Sequence, residues 1–184
     1  METDLSDILL CRDGDRQAFE RLVRRYQQQV ITVAYRMLGD WEDAREAAQD
    51  TFVKVFQSVN GFDVSRKFST WLYRILVNTC IDYRRRQSIA TESIGITPLG
   101  LFEQEGHAPD RDLELSEYRE LLDRALQRLS PRHRAVITFR DIQELSCRDI
   151  SEIMQCSEAT VRVHLFHARR ALKKTLRPFL DALT

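Results

Sequence analysis

Residues 146–172 read SCRDISEIMQCSEATVRVHLFHARRAL. Ser146 is a good helix N-cap, and Ile150, Ile153 and Met154 follow it at helical spacing. Gln155 and Cys156 interrupt that stripe. Ser157 then caps a second helix whose apolar positions are Val161, Leu165, Ala168 and Leu172. A short capped helix, a turn of three or four residues and a second capped helix describe a helix-turn-helix, whose second helix enters a DNA major groove. The outward side of that helix carries Thr160, Arg162, Val163, His164, Phe166 and His167, followed by Arg169, Arg170, Lys173 and Lys174. Arginine can read guanine bidentately, whereas the later cations bind phosphate without sequence information.

Working outward, Ser130-Pro131 starts a helix with proline at its first position, continued by Ala135, Val136, Ile137 and Phe139. Before it, Leu121, Leu122, Ala125 and Leu129 form another apolar stripe, so a C-terminal domain is expected over residues 116–184. Residues 88–115 contain Gly95, Pro98, Gly100, Gly106 and Pro109 without periodicity. They read as a flexible acidic linker able to reach roughly 90 Å when stretched. Residues 1–87 then make an N-terminal domain. Its first helix has the stripe Phe19, Leu22, Val23, Tyr26, Val30, Val33, Ala34, Met37 and Leu38, capped by Asp15 and ended by Gly39. Asp40 caps a second helix with Ala44, Ala48, Thr51, Phe52, Val55 and Val59 on its apolar side, broken at Asn60-Gly61. A third helix buries Phe68, Trp71, Leu72, Ile75, Leu76 and Thr79, and its expected end is Tyr83-Arg84-Arg85-Arg86. Nothing reads as a strand. The fold class is all-α: two small helical domains, the second containing the helix-turn-helix.

The 184 residues carry 28 basic and 28 acidic side chains, yet the charges are segregated. Residues 61–90 are net +4 and residues 124–184 net +6, while residues 1–60 are net −3 and residues 91–123 net −7. Two basic blocks separated by an acidic one suit two separate contacts with a polyanion. No apolar run approaches the roughly 18 residues of a membrane helix, and the acidic start lacks the features of a signal peptide. A cytoplasmic protein without membrane insertion is expected. Cys11, Cys80, Cys147 and Cys156 are scattered and read as free thiols. Cys147, Cys156, His164 and His167 match none of the common zinc spacings, so no metal or cofactor is expected. No phosphate-cradling glycine loop or paired catalytic set emerges, which argues against an enzyme.

Two further stretches carry chemistry. In residues 67–86, KFSTWLYRILVNTCIDYRRR, aromatic and basic side chains alternate beside a polar face bearing Asn78 and Asp82. Stacking surfaces next to cations suit unpaired bases, although Phe68 and Trp71 lie on the apolar stripe and read first as core. In residues 43–56, DAREAAQDTFVKVF, the exposed strip Glu46, Gln49, Asp50 and Val53 would repel nucleic acid and suits a basic protein partner.

In this order, the three stretches resemble the extracytoplasmic-function sigma factors, the smallest group of the sigma-70 family, over residues 15–176. Residues 43–56 are similar to the family's polymerase-binding segment, usually D-A-E-D-x-x-Q-[DE]-x-F. Residues 68–86 resemble the segment that melts and reads the −10 element, and residues 129–172 the −35-reading domain. The resemblance implies a factor that directs core RNA polymerase to −35/−10 promoters and promotes strand opening, with a stand-alone helix-turn-helix regulator as the alternative. It assigns polymerase binding to Asp43, Glu46, Gln49, Asp50 and Val53. Phe62, Asp63, Phe68, Asn78 and Asp82 are assigned to a pocket for a flipped −10 base, and Arg84, Arg85 and Arg86 to adjacent DNA backbone. Contacts to the −35 element fall to Thr160, Arg162, Val163, Phe166, His167, Arg169 and Lys173. The expected partners are core polymerase, promoter DNA and an anti-sigma protein, with a monomer when free. Arg45 stands where the family usually has an acidic residue, and Val163, His164 and His167 where relatives often carry serine and arginine.

Overall fold

The computed structural model describes the backbone of residues 2–94 and 113–180, and the side chains of residues 4–87 and 119–178. The described residues are helical, without a strand. In order they form α1 (Glu2–Arg12), α2 (Arg16–Leu38), α3 (Trp41–Ser58), a 3-10 turn (Val59–Gly61), α4 (Phe68–Ile94), α5 (Leu113–Gln127), α6 (Pro131–Ile137), a π segment (Thr138–Ile142), α7 (Cys147–Met154) and α8 (Glu158–Leu180). Helices α1–α4 make the N-terminal domain and α5–α8 the C-terminal one.

Most boundaries follow from local chemistry. The Asp15 carboxylate accepts from the backbone N–H groups of Gln17 (2.8 Å) and Ala18 (3.2 Å), and Asp40 accepts from Asp43 N–H (2.9 Å). Ser130, Ser146 and Ser157 cap α6, α7 and α8 through His133, Asp149 and Thr160 N–H. Each cap satisfies a donor that a helix start leaves free. Leu22, Val30, Val33 and Met37 of α2 pack on Ala44, Ala48 and Val55 of α3 and on Leu72 and Leu76 of α4, all buried. A fully buried side chain of this kind contributes about 1.5–3 kcal/mol.

Three boundaries depart from expectation. Helix α1 has no apolar stripe to announce it. Of its described apolar side chains it buries only Ile8 and Cys11, and polar contacts add to them: Asp7 pairs with Arg21 (2.8 Å) and Arg25 (3.1 Å), and Asp4 accepts from Arg25 and from the Tyr26 hydroxyl (2.8 Å). Helix α4 runs on past the arginines to Ile94, because residues 87–94 contain no glycine or proline to stop it. Helix α5 begins at Leu113, inside the stretch read as linker. Most of that linker lies outside the described residues.

The two domains pack on each other, which the sequence did not announce. Helix α7 lies against α4, and α2 touches both α5 and α6. Tyr73 and Phe139 meet across the boundary with ring centroids 5.3 Å apart. Lys67 pairs with Asp149 (2.8 Å) and Arg36 with Asp123.

Candidate nucleic-acid and partner interfaces

On α3, Glu46, Gln49 and Val53 are exposed and share one strip with Phe56, which is about half exposed. Asp43 and Asp50 lean inward and are half-buried. Asp43 accepts from the Gln87 side-chain amide (2.6 Å); burial raises its pKa against the opposing pull of that bond and of Arg84. Glu46 accepts from the Tyr83 hydroxyl, a bond that raises the tyrosine's pKa. The strip is mixed acidic and apolar, and it suits a partner with cations around an apolar contact. Phe56 was absent from the sequence-derived set, although it follows Val53 by three residues on the same face.

The loop between α3 and α4 surrounds a cavity of about 250 Å³ lined by Gly61, Phe62, Asp63, Arg66, Lys67, Thr70, Trp71 and Arg74, with Glu152 from α7. That is below the roughly 300–1,000 Å³ of drug-sized ligand sites. Three cations line it. Asp63 is exposed and accepts from Ser65 N–H (3.0 Å) and Oγ (2.7 Å), which holds its carboxyl below the ordinary range. Asn78 is exposed one helical turn beyond Arg74, on the same face of α4.

Three expected −10 contacts are placed differently. Phe62 and Phe68 are each only 4% exposed, and their rings pack with Trp71 and Tyr26. They brace the loop, and neither presents a face on which a base could stack. Their apolar surface is worth more in the core than in water. Arg84 is turned into the domain boundary, donating to Leu38 C=O (3.3 Å) and to the Gln127 side chain (2.5 Å), so it is not free for DNA backbone. Arg85 and Arg86 remain exposed, Arg85 within 3.2 Å of Asp82. Arg74 and Thr70 were missed by sequence reasoning. The available signal was spacing, since Arg74 lies four residues before Asn78.

On α8, Val161, Leu165 and Ala168 are buried and turn the opposite face outward. Val163 (54% exposed) and Phe166 (63%) are the most exposed large apolar side chains described. Thr160, Arg162, His167 and Lys173 are exposed as well. Arg162 pairs with Glu158 (3.1 Å) one turn earlier, and Arg169 makes two bonds to Asp141 (2.5 and 3.1 Å). Arg140, Arg162, Phe166, Arg169, Arg170 and Lys173 share one basic groove. An exposed helix presenting cations around an apolar centre fits a major groove, where thymine methyls are the apolar partners and phosphates line the walls.

Comparison with known proteins bears on these surfaces. Residues 22–89 match the family model for sigma-70 region 2, and residues 119–172 that for sigma-70 region 4. The chain is 33% identical to the ECF RNA polymerase sigma factor SigW of Bacillus subtilis, over 90% of this chain and 92% of SigW. It is 31% identical to the ECF RNA polymerase sigma-E factor of Escherichia coli, over 98% and 99% of the two chains. In fold it is similar to CnrH solved with the cytosolic domain of CnrY (TM-score 0.70, 24% identity, 99% of each chain). It is also similar to the sigma factor RpoE solved with the anti-sigma factor NepR from Bartonella quintana (TM-score 0.70, 21% identity, 86% of this chain and 96% of that one). Among the described residues no helix is long and apolar enough to cross a membrane.

Proposed function

From a chain that belongs to the extracytoplasmic-function sigma factors of the sigma-70 family, we propose a division of labour among its three exposed surfaces. The protein is an RNA polymerase sigma factor that directs the core enzyme to −35/−10 promoters. The α3 strip of Glu46, Gln49, Val53 and Phe56 docks on the polymerase, with Asp43 and Asp50 at its inner edge. The cationic cavity beside Trp71, with Asp63, Arg74 and Asn78, receives an unpaired base of the −10 element, and Arg85 and Arg86 meet the adjacent backbone. The outward face of α8, centred on Arg162, Val163, Phe166 and His167, reads the −35 duplex.

The observation that carries this reading is the pairing, on one chain, of an outward-facing recognition helix with a separate basic cavity fit for a single base. Duplex readout and strand capture then cooperate. A chain that binds the open form of DNA more tightly than the closed form shifts the population toward melting by that difference in affinity. One captured base, at about 1–3 kcal/mol, offsets part of the cost of local unpairing. No covalent step is assigned to the chain, and its work is done in the cytoplasm, where polymerase acts. An anti-sigma protein that covers the same surfaces is the expected regulator, since one neighbour of the same fold, RpoE, was solved with an anti-sigma factor.

The test is in vitro transcription with core polymerase on a promoter library. New start sites sharing −35 and −10 sequences are expected only when the protein is added. Core binding without new starts would instead mark a polymerase-binding inhibitor.

A further inference from the structure

The two flanks of α8 are chemically unlike. One carries Arg162, Arg169 and Lys173 at helical spacing, sharing a groove with Arg140. The other carries His164 and His167, which lean on His133 of α6, with ring centroids 5.4 and 6.2 Å from that of His133. A recognition helix in a major groove has a sugar-phosphate strand along each side. One wall of phosphates therefore meets permanent cations, and the other meets three imidazoles, with exposed Lys174 seven residues beyond His167 on the same face.

We propose that His133, His164 and His167 form a proton-gated contact with DNA phosphates flanking the −35 element, so that promoter binding takes up protons and tightens as pH falls. The proposal rests on the −35 reading of α8 and adds what regulates it. None of the three imidazoles hydrogen-bonds to another described residue, so their nitrogens are free to meet a ligand. Histidine is the side chain whose ordinary pKa lets a small change of surroundings switch its charge near neutrality. In the free protein His133 resists charging: burial lowers its pKa first, and the neighbouring His164 and His167 lower it further. A phosphate beside the trio reverses that balance, because it stabilises each imidazolium and screens one from the next.

Three acidic side chains, from α5, the π segment and α8, are paired elsewhere, and Arg170 and Lys174 are the exposed cations that follow His167 on α8. Glu158 is held by Arg162 on the far flank, Asp141 by Arg169, and Asp123 by Arg36. On α6, Arg132 lies beside Cys156, and Arg134 is turned into the domain boundary. Among the described residues no set of three His, Cys, Asp or Glu side chains is arranged to hold a metal ion, so the switchable charge is the proton.

The test uses the full chain assembled with core polymerase and a promoter fragment recovered from the transcription library. Affinity is measured from about pH 6 to about pH 8 at constant ionic strength in the presence of a chelator. Binding is expected to be about tenfold tighter at the acid end, with a salt dependence steeper by about one phosphate contact. The H133Q/H164Q/H167Q variant should lose both effects. The H164R/H167R variant should bind at about pH 8 as the wild type binds at about pH 6. Equal pH dependence in wild type and the triple glutamine variant would overturn the proposal, as would an arginine variant that gains no affinity. Promoter-specific binding that is insensitive to pH overturns the proposal alone. Absence of promoter-specific binding at every pH overturns the −35 reading and the proposal with it.

Discussion

Arg134 is the largest of the fully buried side chains. Its guanidinium donates to the carbonyls of Leu126 (2.8 Å), Gln127 (2.6 Å) and Leu129 (3.0 Å), and to Met37 C=O in the other domain. The carbonyls at the end of α5 are ones that a helix terminus leaves without partners. Burial pushes the pKa of Arg134 down to about 9, so it remains a cation at neutral pH. Arg134→Ala would strand several buried acceptors at once and should cost about 3–5 kcal/mol, read by urea or thermal unfolding. A loss below about 1 kcal/mol would mean that water replaces the guanidinium. On the surface, the Arg162–Glu158 pair contributes only about 0.3–0.5 kcal/mol, so it hardly opposes DNA binding. Arg162→Ala should weaken promoter binding by about 1–3 kcal/mol and relax selectivity at one −35 position. Unchanged selectivity across a promoter-variant series would remove Arg162 from base readout.

Among the elements, α2 shows how a helix end sets a distant contact. Gly39 ends it at φ +87°, with its N–H donating to Tyr35 C=O (2.7 Å). A Cβ there would come within 2.6 Å of the Gln127 amide group. That amide donates to Arg36 C=O (3.2 Å) and accepts from Arg84 (2.5 Å), so it ties α2 and α4 to α5. Gly39→Ala should therefore destabilise by more than the ~1 kcal/mol of left-handed backbone strain alone. Adding Gln127→Ala should restore part of the loss. Strict additivity in that double-mutant cycle would show that the crowding is harmless. Elements whose ends are set by local chemistry were legible in advance: Asp15, Gly39, Asp40, Ser130, Ser146 and Ser157 all act where spacing placed them. Helix α1 was not legible, because its partners Arg21, Arg25 and Tyr26 belong to another helix.

At the scale of the molecule, the domain boundary combines the Tyr73–Phe139 contact with polar ties, of which Lys67–Asp149 joins the α3–α4 loop to α7. Burial acts to raise the Asp149 pKa, but hydrogen bonds from Lys67 and Ser146 outweigh it and hold the carboxyl below its ordinary range. The packed state thus favours the carboxylate. Its contribution is present above the ordinary carboxylate pKa of about 3.9 and is lost as pH falls through the depressed value. Acidification below about pH 4 should loosen this tie, read as a fall in energy transfer between dyes on the two domains. Asp149→Asn should loosen it at neutral pH and flatten the acid response. An unchanged distance in both cases would assign the boundary to Arg134 and the aromatic contact.

The amino-acid sequence alone determined the helical class, the order of the helices from α2 onward, the caps and the outward face of α8. Each depends on residues within a turn or two of one another, where spacing and capping chemistry suffice. It also supplied Asn78 and the acidic strip of α3, which stay on the surface of their own helices. The apolar stripe already marked Phe68 as core, but only the tertiary structure decided that Phe62 joins it, that Arg84 is spent on Leu38 and Gln127, and that the two domains pack together. It likewise brought His133 to His164 and His167 from a different helix. These facts depend on which surfaces meet across long stretches of chain. Competition for burial and for hydrogen-bond partners settles that, and periodicity along one helix does not record it.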